Sequence, residues 1–372
     1  MALINKTYYT YKDVTIMPAV ISSVEHRSEC SPFYDDGMLP LFTSPMNTVV
    51  GSDNFNLFEK EKINAILPRT EEIKIRLDNS SKGKWSAYSL GEFEKYFCNK
   101  DKKIRFISKI RALIDVANGH MKKIFDLVSA SKEIYGGDIE IMTGNIANPS
   151  TYVKCADAGI DYVRVGIGSG CGCLSSSNTG VHVPMASLIS QISYYKKIVN
   201  NPPKIIADGG VRNYRDVIKA LALGADYVMI GSVFASMLES SAKKTCDGKD
   251  WTDFIKIPLW TSLKDIENIR KETDGWVGTY NGKEVKLGNI SAIFYGMASR
   301  EGQIALYGEK KKTSEGLLKT LPVKYTMHTW VENFIDYLRS AMSYTNALTL
   351  NDFTNNTNLI VNSYNSVIAV ND

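Results

Sequence analysis

Short runs of apolar and β-branched residues recur between residues 40 and 231, and the stretches that separate them have helical periodicity. In "MKKIFDLVSASKEI" (121–134) and "YRDVIKALALGA" (214–225), apolar residues return every three or four positions, as on one face of a helix. Strands that alternate with helices pair in parallel through right-handed crossovers. Eight such units predict a closed (β/α)8 TIM barrel rather than an open sheet. The predicted strands are "PLFTSP" (40–45), "INAILP" (63–68), "WSAYS" (85–89), "RALIDV" (111–116), "DIEIMT" (138–143), "DYVRVG" (161–166), "PKIIAD" (203–208) and "DYVMIG" (226–231).

The alternation stops after the eighth predicted strand. Residues 244–325 contain turn-rich stretches typical of hairpins, and we predict a flap inserted here that is long enough to act as a lid. Helical periodicity returns in "TWVENFIDYLRSAMSY" (329–344), the predicted last barrel helix. The asparagine-rich tail, about 346–372, is expected to wrap a surface or to fray. Because no internal repeat or Pro/Ser-rich linker is found, residues 1–372 are predicted to form a single domain.

Composition and charge narrow the functional classes. A net charge of +4 over 372 residues is too small to indicate nucleic-acid binding, but it is compatible with a phosphorylated small molecule. No segment approaches the roughly 20 apolar residues of a membrane span. The first residues lack the apolar run of a secretory signal, and the six cysteines do not form a disulfide framework. We therefore expect a cytoplasmic protein with reduced thiols and no membrane partner.

Most of the unusual polar and glycine residues follow the carboxyl ends of predicted strands. "SPMNT" follows the first strand, "DVANGH" contains the end of the fourth, "GIGSGCGC" follows the sixth, and "ADGG" and "GS" end the seventh and eighth. In a closed barrel these ends share one rim, where barrel active sites are built. The pattern therefore predicts one pocket assembled from residues far apart in the chain.

The last two of these turns indicate a phosphate site. Gly209, Gly210 and Gly231 allow backbone N–H groups to approach an anion closely, and Ser232 adds a hydroxyl donor. Asp208 is then placed to accept hydrogen bonds from ribose hydroxyls. Either turn alone is equally consistent with a plain strand ending, but their occurrence on adjacent strands favours phosphate.

In these motifs the chain resembles the IMP dehydrogenase/GMP reductase family of purine-nucleotide oxidoreductases. The resemblance covers nearly the whole chain and implies a barrel that binds a purine nucleotide monophosphate, GMP or IMP, with a nicotinamide cofactor. It also implies a homotetramer. Six motifs carry it in the family's order: "YTYKDVTIMP" (9–18), "TSPMNTV" (43–49), "GIGSGCGCLSSSNTGV" (166–181), "IADGGVRNYRDVIKALALGADYVMIGS" (206–232), "FYGMAS" (294–299) and "RSAMSY" (339–344).

Within the family, several features resemble GMP reductase. Only about forty residues separate Arg69 from Arg111, so the regulatory CBS insertion of many dehydrogenases is absent. "DVANG" (115–119) and "FYGMAS" are similar to the reductase versions of these motifs. "TSEG" (313–316) resembles the reductase loop that carries a glutamate to the leaving amine, and the segment before it has no adjacent Arg-Tyr dyad.

Three alternatives stay open. The first is IMP dehydrogenase, which oxidises IMP to XMP with NAD. The second is a nucleotide-binding barrel with altered catalysis, because Ser175 replaces the family's threonine, Asn47 an aspartate and Met185 a glutamine. The third keeps the chemistry but acts on a modified purine nucleotide.

The resemblance implies covalent chemistry at Cys173. A thiolate adds to the purine C2, ammonia leaves, and the resulting thioimidate accepts a hydride. Ser175 and Glu315 would transfer protons to and from the leaving amine, and Cys171 is treated as a bystander. The competing interpretation of Cys173 is a buried inert thiol, which its glycine-rich surroundings disfavour. Substrate contacts are assigned to Ser44, Met46, Asn145, Asp208, Gly209, Gly210, Gly231, Ser232, Gly296, Met297 and Ala298.

The cofactor implied by the resemblance is NADPH. Its basic contacts, Arg69, Lys311 and Lys312, favour the extra phosphate of NADPH, although the lysines are equally consistent with a solvated face. No GxGxxG motif follows a strand, so a Rossmann-type site is not expected. The carbonyl groups of Gly168, Gly170 and Cys173 are expected to bind a potassium ion. The full cofactor set is Arg69, Asp115, Val116, Ala117, Gly168, Ser169, Lys311 and Lys312.

Overall fold

The computed structural model describes residues 7–102, 104–246, 249–250, 276–280, 283–286 and 290–362. A short strand, β1 (Val14–Met17), precedes eight parallel strands that form one sheet. In the described part of the chain, no helix has the length and apolar character needed to cross a membrane. The eight strands are β2 (Leu41–Thr43), β3 (Ile66–Leu67), β4 (Trp85–Tyr88), β5 (Ile110–Asp115), β6 (Ile139–Ile146), β7 (Tyr162–Val165), β8 (Lys204–Asp208) and β9 (Tyr227–Ile230).

This sheet closes on itself. Its strand order is β2-β9-β8-β7-β6-β5-β4-β3, and Asn64, just before β3, joins the two ends. The Asn64 N–H donates to the Leu41 carbonyl at 3.1 Å, and the Asn64 carbonyl accepts from the Thr43 N–H at 2.9 Å. The predicted (β/α)8 TIM barrel is confirmed, and every predicted strand overlaps an observed one.

Helices alternate with the barrel strands, as their amphipathic patterns predict. In the helix over 122–135, Ile124, Leu127, Val128 and Ile134 are buried against the barrel, at the spacing of one helical face. The helices are α1 (Phe55–Lys60), α2 (Ile73–Ser81), α3 (Leu90–Phe97), α4 (Lys122–Tyr135), α5 (Pro149–Asp157), α6 (Ser175–Thr179), α7 (Met185–Lys196), α8 (Tyr214–Ala222), α9 (Ser232–Ala235), α10 (Arg300–Tyr307), α11 (Met327–Tyr344) and α12 (Leu350–Asn356).

Aromatic side chains fill the amino-terminal end of the barrel. Trp85, Tyr162 and Tyr227 are each the first residue of their strand, and all three rings pack around Phe42 with centroid distances of 5.0–6.2 Å. Edge-to-face packing of this kind adds to the stabilisation from buried apolar area. The interior is therefore closed at this end, and the carboxyl ends of the strands remain for a binding site.

The region after β9 contains the expected hairpins. Its strands are β10 (Lys244–Cys246), β11 (Lys249–Asp250), β12 (Trp276–Tyr280), β13 (Lys283–Lys286), β14 (Ile290–Tyr295) and β15 (Leu318–Pro322). The first two pair as a hairpin, β12 pairs with β13, and β10, β14 and β15 lie side by side in one antiparallel sheet. Residues 251–275 of the predicted flap lie outside the described residues.

The tail packs on the body of the protein as far as residue 362. Phe353 on α12 is fully buried, and β16 (Asn358–Val361) pairs antiparallel with β1. Wrapping rather than fraying therefore describes residues 350–362, whereas residues 363–372 lie outside the described residues.

Candidate active site

A cavity of about 220 Å³ opens at the carboxyl ends of the barrel strands. It gathers all of the predicted substrate residues except Asn145, together with both cysteines of the C-x-C motif and Glu315. Its lining comprises Ser44, Met46, Gly170, Cys171, Gly172, Cys173, Asp208, Gly209, Gly210, Val211, Met229, Gly231, Ser232, Phe294, Gly296, Met297, Ala298, Glu315 and Gly316.

The three predicted catalytic side chains form one hydrogen-bonded chain. The Cys173 thiol donates to Ser175 Oγ at 3.4 Å, and that hydroxyl donates to Glu315 Oε2 at 3.3 Å. The thiol thus donates to the hydroxyl and the hydroxyl to the carboxylate, so both hydrogen bonds run in the same direction. This is the direction in which a proton must move for the sulfur to become a nucleophile.

Glu315 is held at the cysteine loop by the backbone. The Glu315 carbonyl accepts from the Leu174 N–H, and the Gly172 carbonyl accepts from the Leu317 N–H, both at 2.9 Å. Cys173 and Gly316 thus form an antiparallel bridge. The segment between α10 and β15 is consequently docked on the loop that carries Cys173.

Close packing of two loops explains the glycines after β8. Gly209 and Gly210 have φ values of +115° and +77°, which favour glycine. A Cβ at Gly209 would lie 2.9 Å from the Ser169 Cβ. The Gly210 N–H donates to the Ser169 carbonyl at 2.9 Å, so it serves the cysteine loop rather than a phosphate.

A second cavity of about 340 Å³ adjoins the first and shares Met297, Ala298 and Glu315 with it. Most of the predicted cofactor residues lie here, and so does Asn145, whose side-chain amide donates to Asp208 Oδ2 at 2.7 Å. The lining is Arg69, Asp115, Val116, Ala117, Asn145, Arg164, Met297, Ala298, Gln303, Leu306, Tyr307, Lys312, Thr313 and Glu315.

Three predicted cofactor residues lie elsewhere. Gly168 and Ser169 line another cavity, of about 390 Å³, which shares Gly210 with the first. The Lys311 ammonium is paired with Glu309 at the surface. Only Lys312 of the two predicted lysines lines the second cavity.

Comparisons with known proteins agree with this geometry. A family model described as "IMP dehydrogenase / GMP reductase domain" matches residues 103–255. The chain is 30% identical over 259 residues to an inosine-5'-monophosphate dehydrogenase of Borreliella burgdorferi, a match that covers 68% of this chain and 55% of the relative. The chain belongs to the IMP dehydrogenase/GMP reductase family. It also matches a GMP reductase of Staphylococcus carnosus, with 28% identity over 263 residues, which are 66% of this chain and 77% of the reductase.

The chain spans about half the length of the first dehydrogenases that it matches. For example, it is 30% identical to a dehydrogenase of Chlorobaculum tepidum and covers 44% of that protein. Both branches of the IMP dehydrogenase/GMP reductase family therefore match at similar identity. The choice between their reactions rests on the site itself.

Arg164 is the main site residue of this family member that the sequence reasoning missed. Its guanidinium contacts Asp115 Oδ1 at 2.7 Å and Asp208 Oδ2 at 2.9 Å, and so joins the walls of the two cavities. Burial opposes the charge on Arg164, but the two carboxylates outweigh it, and the pKa of Arg164 is raised. An arginine between two valines in a buried strand was the available signal, because a buried charge requires partners.

Gln303 and Lys319 were also missed. The Gln303 side-chain carbonyl accepts the N–H groups of Lys311 (3.0 Å) and Lys312 (2.7 Å), which fixes the basic segment at the second cavity. Lys319 reaches the cysteine loop, where its ammonium donates to the Cys171 carbonyl at 2.7 Å. Both contacts depend on how the region after β9 folds back, which no local pattern reveals.

Of the three departures from the family pattern, Ser175 lies in the hydrogen-bonded chain with Cys173, whereas Asn47 and Met185 lie at the edge of the site. Asn47 donates to the Tyr295 hydroxyl at 2.9 Å and does not line either cavity at the site, whereas Met185 is buried beside Gly166 and Gly210. His182 contacts the Ile167 carbonyl at 3.0 Å and is exposed. None of these three side chains lines the cavity that contains Cys173.

The carbonyl groups predicted to bind potassium lie in the cysteine loop. The Gly168 carbonyl accepts from Ser176 Oγ, and the Gly170 carbonyl accepts from the Cys173 N–H, each at 3.1 Å. A carbonyl oxygen has two lone pairs, so these bonds leave an acceptor on each. The loop therefore fits a monovalent cation chemically, and the ligand set stays a prediction.

Proposed function

We propose that this protein is a GMP reductase, an NADPH-dependent oxidoreductase that converts GMP to IMP and ammonia in purine nucleotide interconversion. The observation that carries the proposal is the Cys173–Ser175–Glu315 chain, which ends on a carboxylate at the junction of two cavities. A reductase needs an acid beside the leaving amine, and Glu315 has this chemistry.

In the proposed reaction, the proton of the Cys173 thiol passes through Ser175 Oγ to Glu315. The thiolate adds to C2 of the purine, and a C–S bond forms while the ring nitrogen takes up the electron pair. The same proton returns through Ser175 to the exocyclic amine. The ring nitrogen then gives its electron pair back to C2 as a double bond, the bond from C2 to the exocyclic nitrogen breaks, and ammonia leaves with that bond's electron pair. The C2–S thioimidate remains, and this covalent route divides one difficult displacement into two easier steps.

The second cavity suits a nicotinamide cofactor because it meets the first at Glu315 and carries Arg69, Arg164 and Lys312. A bound NADPH would supply the hydride to C2. The C2–S bond would then break, and Cys173 would leave as a thiolate that regains its proton from solvent. Arg69 is held by the Asp115 carbonyl at 3.0 Å and Lys312 by Gln303. These two cations are the residues proposed to bind the phosphate that distinguishes NADPH from NADH.

IMP dehydrogenase is the second candidate, and one contact favours it. The Arg69 guanidinium donates to the Tyr307 hydroxyl at 3.2 Å, and both side chains line the second cavity. An Arg–Tyr pair of this kind is what water activation by a dehydrogenase would use, although here the two residues come from distant parts of the chain.

Two reactions distinguish these candidates. The purified protein is incubated with GMP and NADPH, and separately with IMP and NAD, while the absorbance of reduced nicotinamide is followed. Loss of absorbance in the first mixture supports the reductase, and a gain in the second supports the dehydrogenase. If neither mixture changes while GMP and IMP still bind, the protein is a nucleotide-binding barrel with altered catalysis or acts on a modified nucleotide.

Two cysteine variants test the nucleophile. Cys173→Ala should abolish turnover and leave nucleotide binding intact, because the sulfur acts in chemistry rather than in recognition. Cys171→Ala is the matched control two residues away, and it should keep most of the activity. Equal turnover in both variants, measured in the same assay, would overturn the assignment of Cys173.

A further inference from the structure

The nucleotide cavity has a shortage of positive charge. Among the described residues that line it, none is lysine, arginine or histidine, and its carboxylates are Asp208 and Glu315. A nucleotide phosphate carries roughly −1.5 to −2 charges at neutral pH. One predicted phosphate donor, the Gly210 N–H, is already bonded to Ser169. A cationic side chain close behind the lining residues would compensate the negative charge of the phosphate.

Strand register directs Lys319 towards this cavity. On the β14–β15 pair, Lys319 lies directly opposite Phe294. Residues directly opposite each other in antiparallel strands project from the same face of the sheet. Phe294 is buried and lines the cavity, so the Lys319 side chain extends on the cavity face of β15. Its neighbours Leu318 and Thr320 are exposed on the other face.

Lys319 does not line the cavity itself, but its ammonium contacts Cys171, which does. Its Nζ is 2.7 Å from the Cys171 carbonyl oxygen and 3.6 Å from Cys171 Sγ, and Cys171 belongs to the lining. An ammonium has three N–H donors. The bonds to the carbonyl oxygen and to the sulfur use two of them and leave one for an anion in the cavity.

We propose that Lys319 binds the phosphate of the bound nucleotide and makes this site select nucleotides over nucleosides. This inference rests on the proposed function for the class of ligand, a purine nucleotide, and holds for either reaction. Lys319 supplies the charge, while the glycine-rich turns shape the site and the Ser232 hydroxyl supplies a neutral donor. Cys171 positions Lys319 through its carbonyl group rather than through its thiol.

Binding of GMP, IMP and guanosine, measured by titration calorimetry, tests the proposal. Lys319→Met should raise the dissociation constant of GMP and IMP about tenfold, or about 1.4 kcal/mol, and leave that of guanosine unchanged. Lys319→Arg should retain most of the affinity. The matched control is Lys324→Met, which removes the same charge from an exposed site five residues along the chain. Added salt should weaken nucleotide binding less in Lys319→Met than in the unaltered protein.

The outcomes separate the two proposals. If GMP and IMP bind Lys319→Met as well as they bind the unaltered protein, this inference is wrong and the proposed function stands. If guanosine loses as much affinity as GMP, Lys319 has a structural role, and the inference is also overturned. If the unaltered protein binds neither nucleotide, both proposals fail. Lys319→Gln, which keeps a neutral donor, replaces the methionine variant if that variant does not fold.

Discussion

Glu315 reaches Ser175 because backbone pairing with the cysteine loop fixes the segment that carries it. Its carbonyl is bonded to Leu174, while its carboxylate accepts the Ser175 hydroxyl. The backbone bond and the Ser175 bond together hold the Glu315 carboxylate on the side of the loop that carries Cys173. A variant at this residue therefore changes the chemistry without displacing the segment.

Glu315→Gln should lower kcat by about 100-fold, because positioned proton transfer contributes roughly 100- to 10,000-fold in enzymes. The amide still accepts from Ser175 but cannot take up a proton. Steady-state kinetics with GMP should show the loss in kcat, and the dissociation constant of GMP should stay within twofold. Glu309→Gln, an exposed glutamate beside Lys311, is the control and should keep full activity. A normal kcat in Glu315→Gln would remove this residue from the mechanism.

At the scale of elements, a buried carboxylate connects the region after β9 to the last barrel helix. Glu239 Oε2 accepts the Met327 N–H at 2.9 Å in the first turn of α11, and Lys244 on β10 is buried nearby. Burial raises the pKa of Glu239 to about 7 and lowers the pKa of Lys244 to about 7. Both side chains therefore titrate far from their usual ranges.

These shifts predict a dependence of stability on pH. Between about pH 4.5 and 7 the folded state holds a proton on Glu239 that the unfolded chain has released, so stability from this group falls as pH rises. Lys244 acts in the opposite sense, and its contribution rises above pH 7, where only the unfolded chain keeps the proton. Together, the two groups give the free energy of unfolding a minimum near pH 7.

Glu239→Gln should flatten the acidic side of this dependence by about 2 kcal/mol between pH 5 and pH 7. Urea unfolding at a series of pH values measures the effect. Glu133→Gln at an exposed position is the control and should leave the profile unchanged. Identical profiles for Glu239→Gln and the unaltered protein would contradict the prediction.

Two residues of the C-terminal tail can be used to test how much the packing of the tail on the barrel contributes to stability. Phe353 on α12 is fully buried, whereas Ile360 on β16 is half exposed. Phe353→Ala should lower the free energy of unfolding by about 3 kcal/mol or more, because it leaves a cavity in the core. Ile360→Ala, the control from the same tail, should cost less than about 1 kcal/mol. A small effect of Phe353→Ala in chemical denaturation would mean that the tail is not part of the folded core.

The elements also show where sequence patterns succeed. Apolar strand runs and amphipathic helices predicted the barrel because each buries one face against its neighbours, and even the short β3 was found. The antiparallel sheet of β10, β14 and β15 was not predicted, because its strands come from distant positions and pair through tertiary contacts. For the same reason, the approach of Lys319 to Cys171 had no local signal.

At the scale of the whole molecule, the barrel is closed by aromatic rings at one end and carries the site at the other. Strand ends predicted which residues meet there, since closure brings all the carboxyl ends to one rim. The division of the site into two cavities could not be predicted from the sequence, because it depends on which side chains form ion pairs across the rim. Arg164 on β7 forms these ion pairs with Asp115 at the end of β5 and Asp208 at the end of β8, and so links the three strands.

Removal of this link should lower stability and disturb the walls of both cavities. Arg164→Leu leaves two carboxylates without their buried partner and should cost about 3 kcal/mol of unfolding free energy. Asp115→Asn in the same chain should restore part of the loss by removing a carboxylate whose remaining charged neighbour is Arg69, at 4.0 Å. Arg27→Leu breaks an exposed ion pair with Asp336 and should cost under about 1 kcal/mol. Equal stability of the two arginine variants, measured by denaturant unfolding, would argue against the link.

The docked position of residues 315–317 has a consequence for exchange with solvent. The amides of Leu174 and Leu317 are bonded across the interface between this segment and the cysteine loop. Each separation of the two segments frees both amides at once, and it simultaneously parts the carboxylate from the hydroxyl. Deuterium uptake at these two amides therefore reports how often the two segments separate. In the proposed mechanism, each separation would interrupt proton transfer between Ser175 and Glu315.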